Sequence, residues 1–348
     1  MDDPNSKVVI SHEEIRGDNI VATLNVRAVV LLTQFEKEGQ QSDLDDAVAL
    51  YRQALELCPL PNPDRSTLLN NLAIALQTQF EQGRQQNDLD ESISLNRQAL
   101  ELCPSPHPDR PMFLINLANA LWTQFKQRNW QNDLDNSISL YREALELCPP
   151  PHPNRSTSLN NLANALQARF MQGGQQDDID ESISLNRQAL ELCPSSHPDQ
   201  SMSFSNLASA LWTRFKQGGQ KNDLDESISL NRQALELRPP PHPDRPTSLN
   251  NLATALDTRF KQGGQRNDLD ESISLNRQAL ELHPPLHPNQ SISLNNLANA
   301  LETRFRQGGH RNDLDNSISL YREALELCPP PHPDRSTFLN NLANALQA

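Results

Sequence analysis

The chain has 348 residues, of which 30 are basic and 44 acidic, giving a formal charge of −14; 36% are hydrophobic and only 5% aromatic. With a mean hydropathy of −0.66, it is too lean for one deep core but suits a thin layered one, and its charge opposes nucleic acid and anionic membranes. No apolar run approaches the roughly 18 residues of a membrane span, and the acidic start MDDPNSKVVISHEE is neither a signal nor a transit peptide, so a cytoplasmic compartment is the expectation.

Residues 1–17 read as a polar N-terminal segment. From 18 to 348 the sequence repeats itself. The block NDLDESISLNRQALEL begins at Asn87, Asn222 and Asn267, and its variant NDLDNSISLYREALEL at Asn132 and Asn312, all separated by multiples of 45 residues. One column of the same period reads Cys58, Cys103, Cys148, Cys193, Arg238, His283 and Cys328. A register held without insertion over seven copies places each copy in an equivalent slot of a stack.

Each copy predicts two helices. In the fourth, the first helix starts near Asn154 as N-cap, and two other copies put Pro111 and Pro246 in this first turn, where a missing N–H costs little. Leu159, Leu162, Ala163, Leu166 and Phe170 follow at spacings of three and four, an apolar stripe on one face. Gly173 and Gly174 end the helix. The second helix opens with Asp178, and Glu181 three residues on completes a capping box. Its stripe is Ile179, Ser182, Ile183, Asn186, Ala189, Leu190 and Cys193, and Pro194 stops it. Small residues at Ser182 and Ala189, like Ala47 and Ala54 in the first copy, let paired helices approach closely. A single copy is too small to fold alone, so stacking supplies the core. The expected fold is an all-α, right-handed superhelical solenoid of antiparallel helix pairs: seven pairs over 18–348 and one trailing helix.

At this point the pattern resembles the tetratricopeptide repeat, whose signature is W-x2-L-G-x2-Y, A-x3-F and P. Leu159, Leu162, Ala163 and Leu166 match its first half; Ser182, Asn186 and Pro194 match its second. The LNNLA core with its HPD or HPN linker is similar to the kinesin-light-chain subtype, whose long variants occur in fungal multidomain proteins. The resemblance covers nearly the whole chain, with departures. The 45-residue unit exceeds the usual length of about 34, which predicts a first helix extended by more than a turn. Asn96, Asn186, Asn231 and Asn276 stand where an aromatic is expected, while Tyr51, Tyr141 and Tyr321 keep the ring. Arg27 replaces a core Leu in the first copy, as an end-capping unit would allow.

The resemblance implies that first helices line a concave groove holding a peptide or partner helix. Its candidate contacts form columns. One reads Asn71, Asn116, Asn161, Asn206, Asn251, Asn296 and Asn341. The next contains Asn25, Asn70, Ile115, Asn160, Ser205, Asn250, Asn295 and Asn340. One turn on stand Ile74, Asn119, Asn164, Ser209, Thr254, Asn299 and Asn344, and a further turn brings Trp122 and Trp212. An Asn amide both donates and accepts, matching a peptide backbone; the same amides could instead brace adjacent copies. The Trp pair could anchor a ligand or pad the groove wall. Arg169, Arg214, Arg259 and Arg304 either complement the helix dipole or form a basic strip for an acidic peptide.

The cysteines lie one per copy, too far apart for a bridge, and their column admits Arg and His, so buried small hydrophobes in a reducing compartment is the reading. The linker histidines His107, His152, His197, His242, His287 and His332 repeat with a following proline and look structural. No phosphate loop, nucleophile elbow or HExxH motif occurs, and a catalytic site would break the repeat symmetry. The expectation is therefore a non-enzymatic scaffold without metal or cofactor, binding protein or peptide, with self-association as a further option. The alternative is a regulatory or sensor arm of a larger protease-like or NTPase protein.

Overall fold

The computed structural model describes residues 12–83, 85–150, 152, 155–193, 200–283, 289–308, 311–330, 332 and 334–348, with side chains from residue 20 onward. Asn154, Pro194, His197 and His287 lie outside the described residues. Two compact units result, Met1–Ala165 and Leu166–Ala348. Among the described residues there are fifteen helices and no strand.

The first unit contains α1 (His12–Glu38), α2 (Gln41–Glu56), α3 (Arg65–Gly83), α4 (Gln86–Leu102), α5 (Arg110–Arg128) and α6 (Gln131–Leu147). Helix α7 (Arg155–Met171) starts in it and ends in the second unit. The second unit continues with α8 (Gln176–Glu191), α9 (Gln200–Lys216), α10 (Lys221–Glu236), α11 (Arg245–Lys261) and α12 (Arg266–Leu282). It closes with α13 (Gln290–Arg306), α14 (Arg311–Glu326) and the unpaired α15 (Arg335–Leu346). In the first unit α1–α2, α3–α4 and α5–α6 pack as pairs, each on the next, and in the second unit α9–α10, α11–α12 and α13–α14 do the same.

The apolar stripes meet as their spacing requires. Leu69, Leu72, Ala73 and Leu76 of α3 pack with Leu44, Val48 and Tyr51 of α2 in one buried cluster. In the second unit Leu249, Leu252, Ala253 and Leu256 of α11 meet Leu224 and Ile228 of α10. Ser182 and Ala189 are fully buried, as close helix approach demands. Phe170 packs against the cluster around Ile179 and Leu207, so the lengthened first helix does add a core residue.

The linkers are held by polar contacts that the sequence reading did not contain. Arg65 donates to the carbonyls of Leu55 and Cys58 at 3.0 and 2.6 Å, closing the C-terminus of α2. Arg155, Arg245 and Arg335 do the same for α6, α10 and α14. The Leu55, Leu145, Leu235 and Leu325 carbonyls also accept a backbone N–H three residues on, at 3.2 or 3.3 Å, so each Arg adds a charged donor to a helix end while fixing the next helix. His107, His242 and His332 accept the backbone N–H of Asp109, Asp244 and Asp334 at 3.2 Å through Nδ1. The structural role of those three histidines is a turn brace.

The capping box is corrected. Helix α8 begins at Gln176, its N-cap Gln175 makes no side-chain capping bond, and the Asp178 carboxylate is held by Arg169 instead. A charged fork to a guanidinium outcompetes a single local N–H contact.

The paired glycines set this geometry. Gly218 has φ +101°, and a Cβ on Gly219 would lie 2.6 Å from the Arg214 carbonyl oxygen and 2.8 Å from Asp223 Oδ2. Gly219→Ala is expected to destabilise its repeat by about 1–3 kcal/mol, read as lost amide-exchange protection in α9 and α10 with α13 and α14 unchanged.

Candidate functional site

First helices of successive repeats touch each other in both units (α3 with α5, α9 with α11, α11 with α13, α13 with α15), whereas second helices approach less closely. The face carrying the Asn columns is therefore a continuous strip within each unit.

On that strip the columns divide by burial. Asn70, Asn160, Asn250 and Asn295 are between 1% and 6% exposed, which removes them from direct reach of a ligand. Asn71, Asn116, Asn119, Asn161, Asn164, Asn206, Asn296 and Asn299 are half-buried and Asn251 is exposed. Several amides bridge repeats. Asn71 donates to Asn25 at 3.1 Å, Asn116 to Asn70 at 2.7 Å, Asn161 to Asn119 at 3.2 Å and Asn341 to Asn295 at 2.9 Å. Asn250 donates to Ser293 at 2.7 Å. By contrast, no side-chain hydrogen bond joins Asn206, Asn251 or Asn296 to another described residue.

The Trp column works similarly. Gln77 donates to Thr123 at 3.4 Å and Gln167 to Thr213 at 2.8 Å, each 46 residues on. Trp212 stands in that column and its indole N–H donates to Thr258 at 3.3 Å. Trp122 stacks on Phe125 with ring centroids 5.5 Å apart. Both rings are half-buried, with Lys126 and Lys216 ammonium groups 5.9 and 5.8 Å from their centroids. Trp130, which the columns did not single out, is 53% exposed.

The Arg row is not an open basic strip. Arg214 forks onto Asp223 at 2.9 and 2.7 Å and reaches Asp180 at 2.9 Å. Arg259 binds Asp268 and Asp225, and Arg304 binds Asp313 and approaches Asp270. Hydrogen bonds to Asp223 hold the Arg214 guanidinium well above its ordinary value, against the lowering effect of its own burial. A cleft of about 500 Å³ lies beside Arg259, Gly264 and Asp268, where the guanidinium already faces two carboxylates and offers an anion little.

Among the described residues, no group of three or more His, Cys, Asp or Glu is placed to hold a metal. All five cysteines are buried and none is disulfide-bonded. Among those residues no helix is long and apolar enough to cross a membrane.

The family profile described as tetratricopeptide repeat matches residues 292–334, a stretch that holds α14 and most of α13 and that the other copies reproduce at the 45-residue period. This is a tetratricopeptide-like repeat protein. Solved structures show the same kind of fold. A Podospora anserina protein described as a kinesin light chain with nearly identical TPR-like repeats is 20% identical, with 63% of this chain and 98% of that chain covered and a TM-score of 0.46. PilF of Pseudomonas aeruginosa is 15% identical, with 79% and 98% covered and a TM-score of 0.49. Human IFIT1, solved as a dimer with m7Gppp-AAAA, is 15% identical, with 88% and 59% covered and a TM-score of 0.59. At these identities the likeness concerns fold alone. No curated protein matches the chain by sequence.

Two substitutions test the electrostatics of the tetratricopeptide-like repeats. Arg214→Ala strands the buried Asp223 and is expected to cost about 1–3 kcal/mol in urea unfolding. Arg214→Gln is expected to keep only the contact to Asp180, as Gln79 and Gln124 hold the equivalent Asp45 and Asp90 at 2.9 and 3.1 Å in the first unit, and so to cost nearly as much as Arg214→Ala. Asp133 lacks such a fork: burial pushes its carboxyl up, against the lowering effects of Arg128 and Arg97. A raised folded-state pKa stabilises the fold below the ordinary carboxylate range, and that contribution is lost as pH rises through the folded value. Asp133→Asn is therefore expected to raise the melting temperature at pH 7 and to leave it unchanged near pH 3.

Proposed function

We propose that this chain is a non-catalytic scaffold that binds a protein partner, holding an extended peptide or partner helix against the strip formed by its first helices. The observation that carries this reading is the asymmetry of the Asn column in the second unit. Asn206, Asn251 and Asn296 reach the surface without side-chain partners among the described residues, while the neighbouring Asn250 and Asn295 are buried in the bracing between repeats. Unsatisfied amides at regular spacing offer a donor and an acceptor to each peptide group of a bound chain. The net charge of −14 favours basic over acidic partners in the diffusional encounter.

In the first unit the same column is spent internally, since Asn71, Asn116 and Asn161 each donate to a neighbouring repeat. The second unit is accordingly the better candidate for ligand contact.

The test is affinity capture with the full chain followed by mass spectrometry, repeated with Asn206, Asn251 and Asn296 changed together to Ala. With helical circular dichroism unchanged, recovery of the captured partners is expected to fall about tenfold or more, the effect of losing two or more hydrogen bonds. Unchanged recovery overturns the reading, and capture of this chain alone replaces it with self-association.

A further inference from the structure

One column of the second helices carries two kinds of residue. In three repeats it is a buried tyrosine, Tyr51, Tyr141 or Tyr321, each at most 1% exposed. The phenol reaches across to the first helix of its own repeat: Tyr141 donates to Asn119 Oδ1 and Tyr321 to Asn299 Oδ1, both at 2.6 Å. In the other repeats the column holds Asn96, Asn186, Asn231 and Asn276, also buried at 0–3%. Asn is far shorter than tyrosine, so the ring's space is left to be filled.

In the repeat formed by α9 and α10 that space is open. A cavity of about 140 Å³ is lined by Asn231 and Ser227 at its base, Ala208 and Ala255 on its walls, and Ser209 and Trp212 nearer the surface. Asn251 also lines it and, like Ser209, is exposed, so the cavity meets solvent on the strip of first helices. A volume near 150 Å³ is enough for a benzene-sized ring. Ser209 precedes Asn231 by the same 22 residues that separate Asn119 from Tyr141 and Asn299 from Tyr321. The acceptor that a tyrosine hydroxyl meets in two other repeats is thus present here as a serine Oγ. The base is set differently as well. Ser227 donates to the Ala208 carbonyl at 2.8 Å, whereas Ser137 and Ser317, below the tyrosines, donate back to Leu134 and Leu314 in their own helix.

We propose that this cavity receives the phenol of a tyrosine side chain supplied by the bound peptide, its hydroxyl donating to Ser209 Oγ and its ring lying beside Trp212. The occupant is argued from the chain itself, which fills the equivalent space with its own tyrosine in three repeats. Ser209 Oγ accepts the Gln167 amide at 3.0 Å and Asn231 approaches Ser227 at 3.5 Å, so an aliphatic residue would cover these polar groups without adding a hydrogen bond to the remaining lone pair of Ser209, which disfavours it. An aromatic body with one polar tip satisfies both the ring-sized space and the polar mouth. This rests on the protein-binding reading above and specifies which side chain anchors the partner.

The probe is p-cresol, the tyrosine side chain by itself, with toluene as its hydroxyl-free counterpart. Each is titrated into the 15N-labelled full chain while the Trp212 indole N–H resonance is followed. Trp122 is the internal control, because Tyr141 fills the corresponding space in its repeat. A saturable shift at Trp212 alone is expected, with p-cresol binding about fivefold tighter than toluene. Ser209→Ala should erase that preference while both compounds still bind. Asn231→Tyr should abolish the response and raise the melting temperature; if that variant does not fold, Ser209→Ala still decides. No saturable Trp212 shift in the unaltered chain, an equal response at Trp122, or a preference that survives Ser209→Ala overturns the proposal. A chain that captures partners through Asn206, Asn251 and Asn296 yet ignores p-cresol loses the tyrosine pocket and keeps the scaffold reading.

Discussion

The second unit depends on a guanidinium held between two carboxylates. At the end of each first helix, Arg214, Arg259 or Arg304 forks onto an Asp in the first turn of its own second helix, at 2.7 or 2.8 Å. The free arm of the same group turns to an Asp of the preceding second helix, at 2.9 to 3.8 Å. Three helices and two repeats thus share one planar cation, and the inner Asp side chains are only about 9% exposed. Repeat proteins owe their cohesion to nearest-neighbour interfaces, and here the polar part of that interface has a fixed geometry that a flexible ammonium would not impose.

The fork explains why the paired glycines accompany the arginines. The second glycine of each pair is where the loop passes closest to the helix end, with the Arg carbonyl 2.6 Å from any Cβ at Gly174, Gly219 or Gly264. Only that tight reversal brings the Asp side chain back to the guanidinium. In the first unit the loop differs: α3 and α5 run on to Gly83 and Arg128, and the left-handed residue after α5 is Asn129. There Gln79 and Gln124 take the place of arginine, and burial pushes the carboxyls of Asp88 and Asp133 up. Two versions of this loop coexist in the chain. The exposed pairs Arg187–Glu226 and Arg232–Glu271 between second helices add little beside them.

The strip of first helices serves two ends with one residue type. An Asn can close a gap between repeats or face outward, and a one-position shift along the helix decides which. Asn250 is 6% exposed while Asn251, next to it, is exposed. Trp212 belongs to both categories, bracing Thr258 through its N–H while its ring borders the cavity above Asn231. The polar column at Asn96, Asn186, Asn231 and Asn276 costs the core a ring and leaves amide atoms such as those of Asn186 unsatisfied, a loss that a ligand's ring could offset above Asn231, where the space opens outward.

Periodicity alone determined the helix pairs, their boundaries near the glycines and the buried faces, because a helix of fixed pitch converts spacing directly into a face. Phe170, Ser182 and Ala189 were legible in that way. Charge pairing was not. Asp178 reads as a capping residue and Arg169 as a dipole partner until the loop brings them together, and Arg65 gives no sign in sequence that it reaches back to Leu55 and Cys58. Each joins residues through a turn whose direction the local pattern does not encode. The division of the Asn columns into buried braces and outward amides likewise came only with the tertiary structure, since it depends on how one helix leans on the next and not on the residue type, which is the same in both.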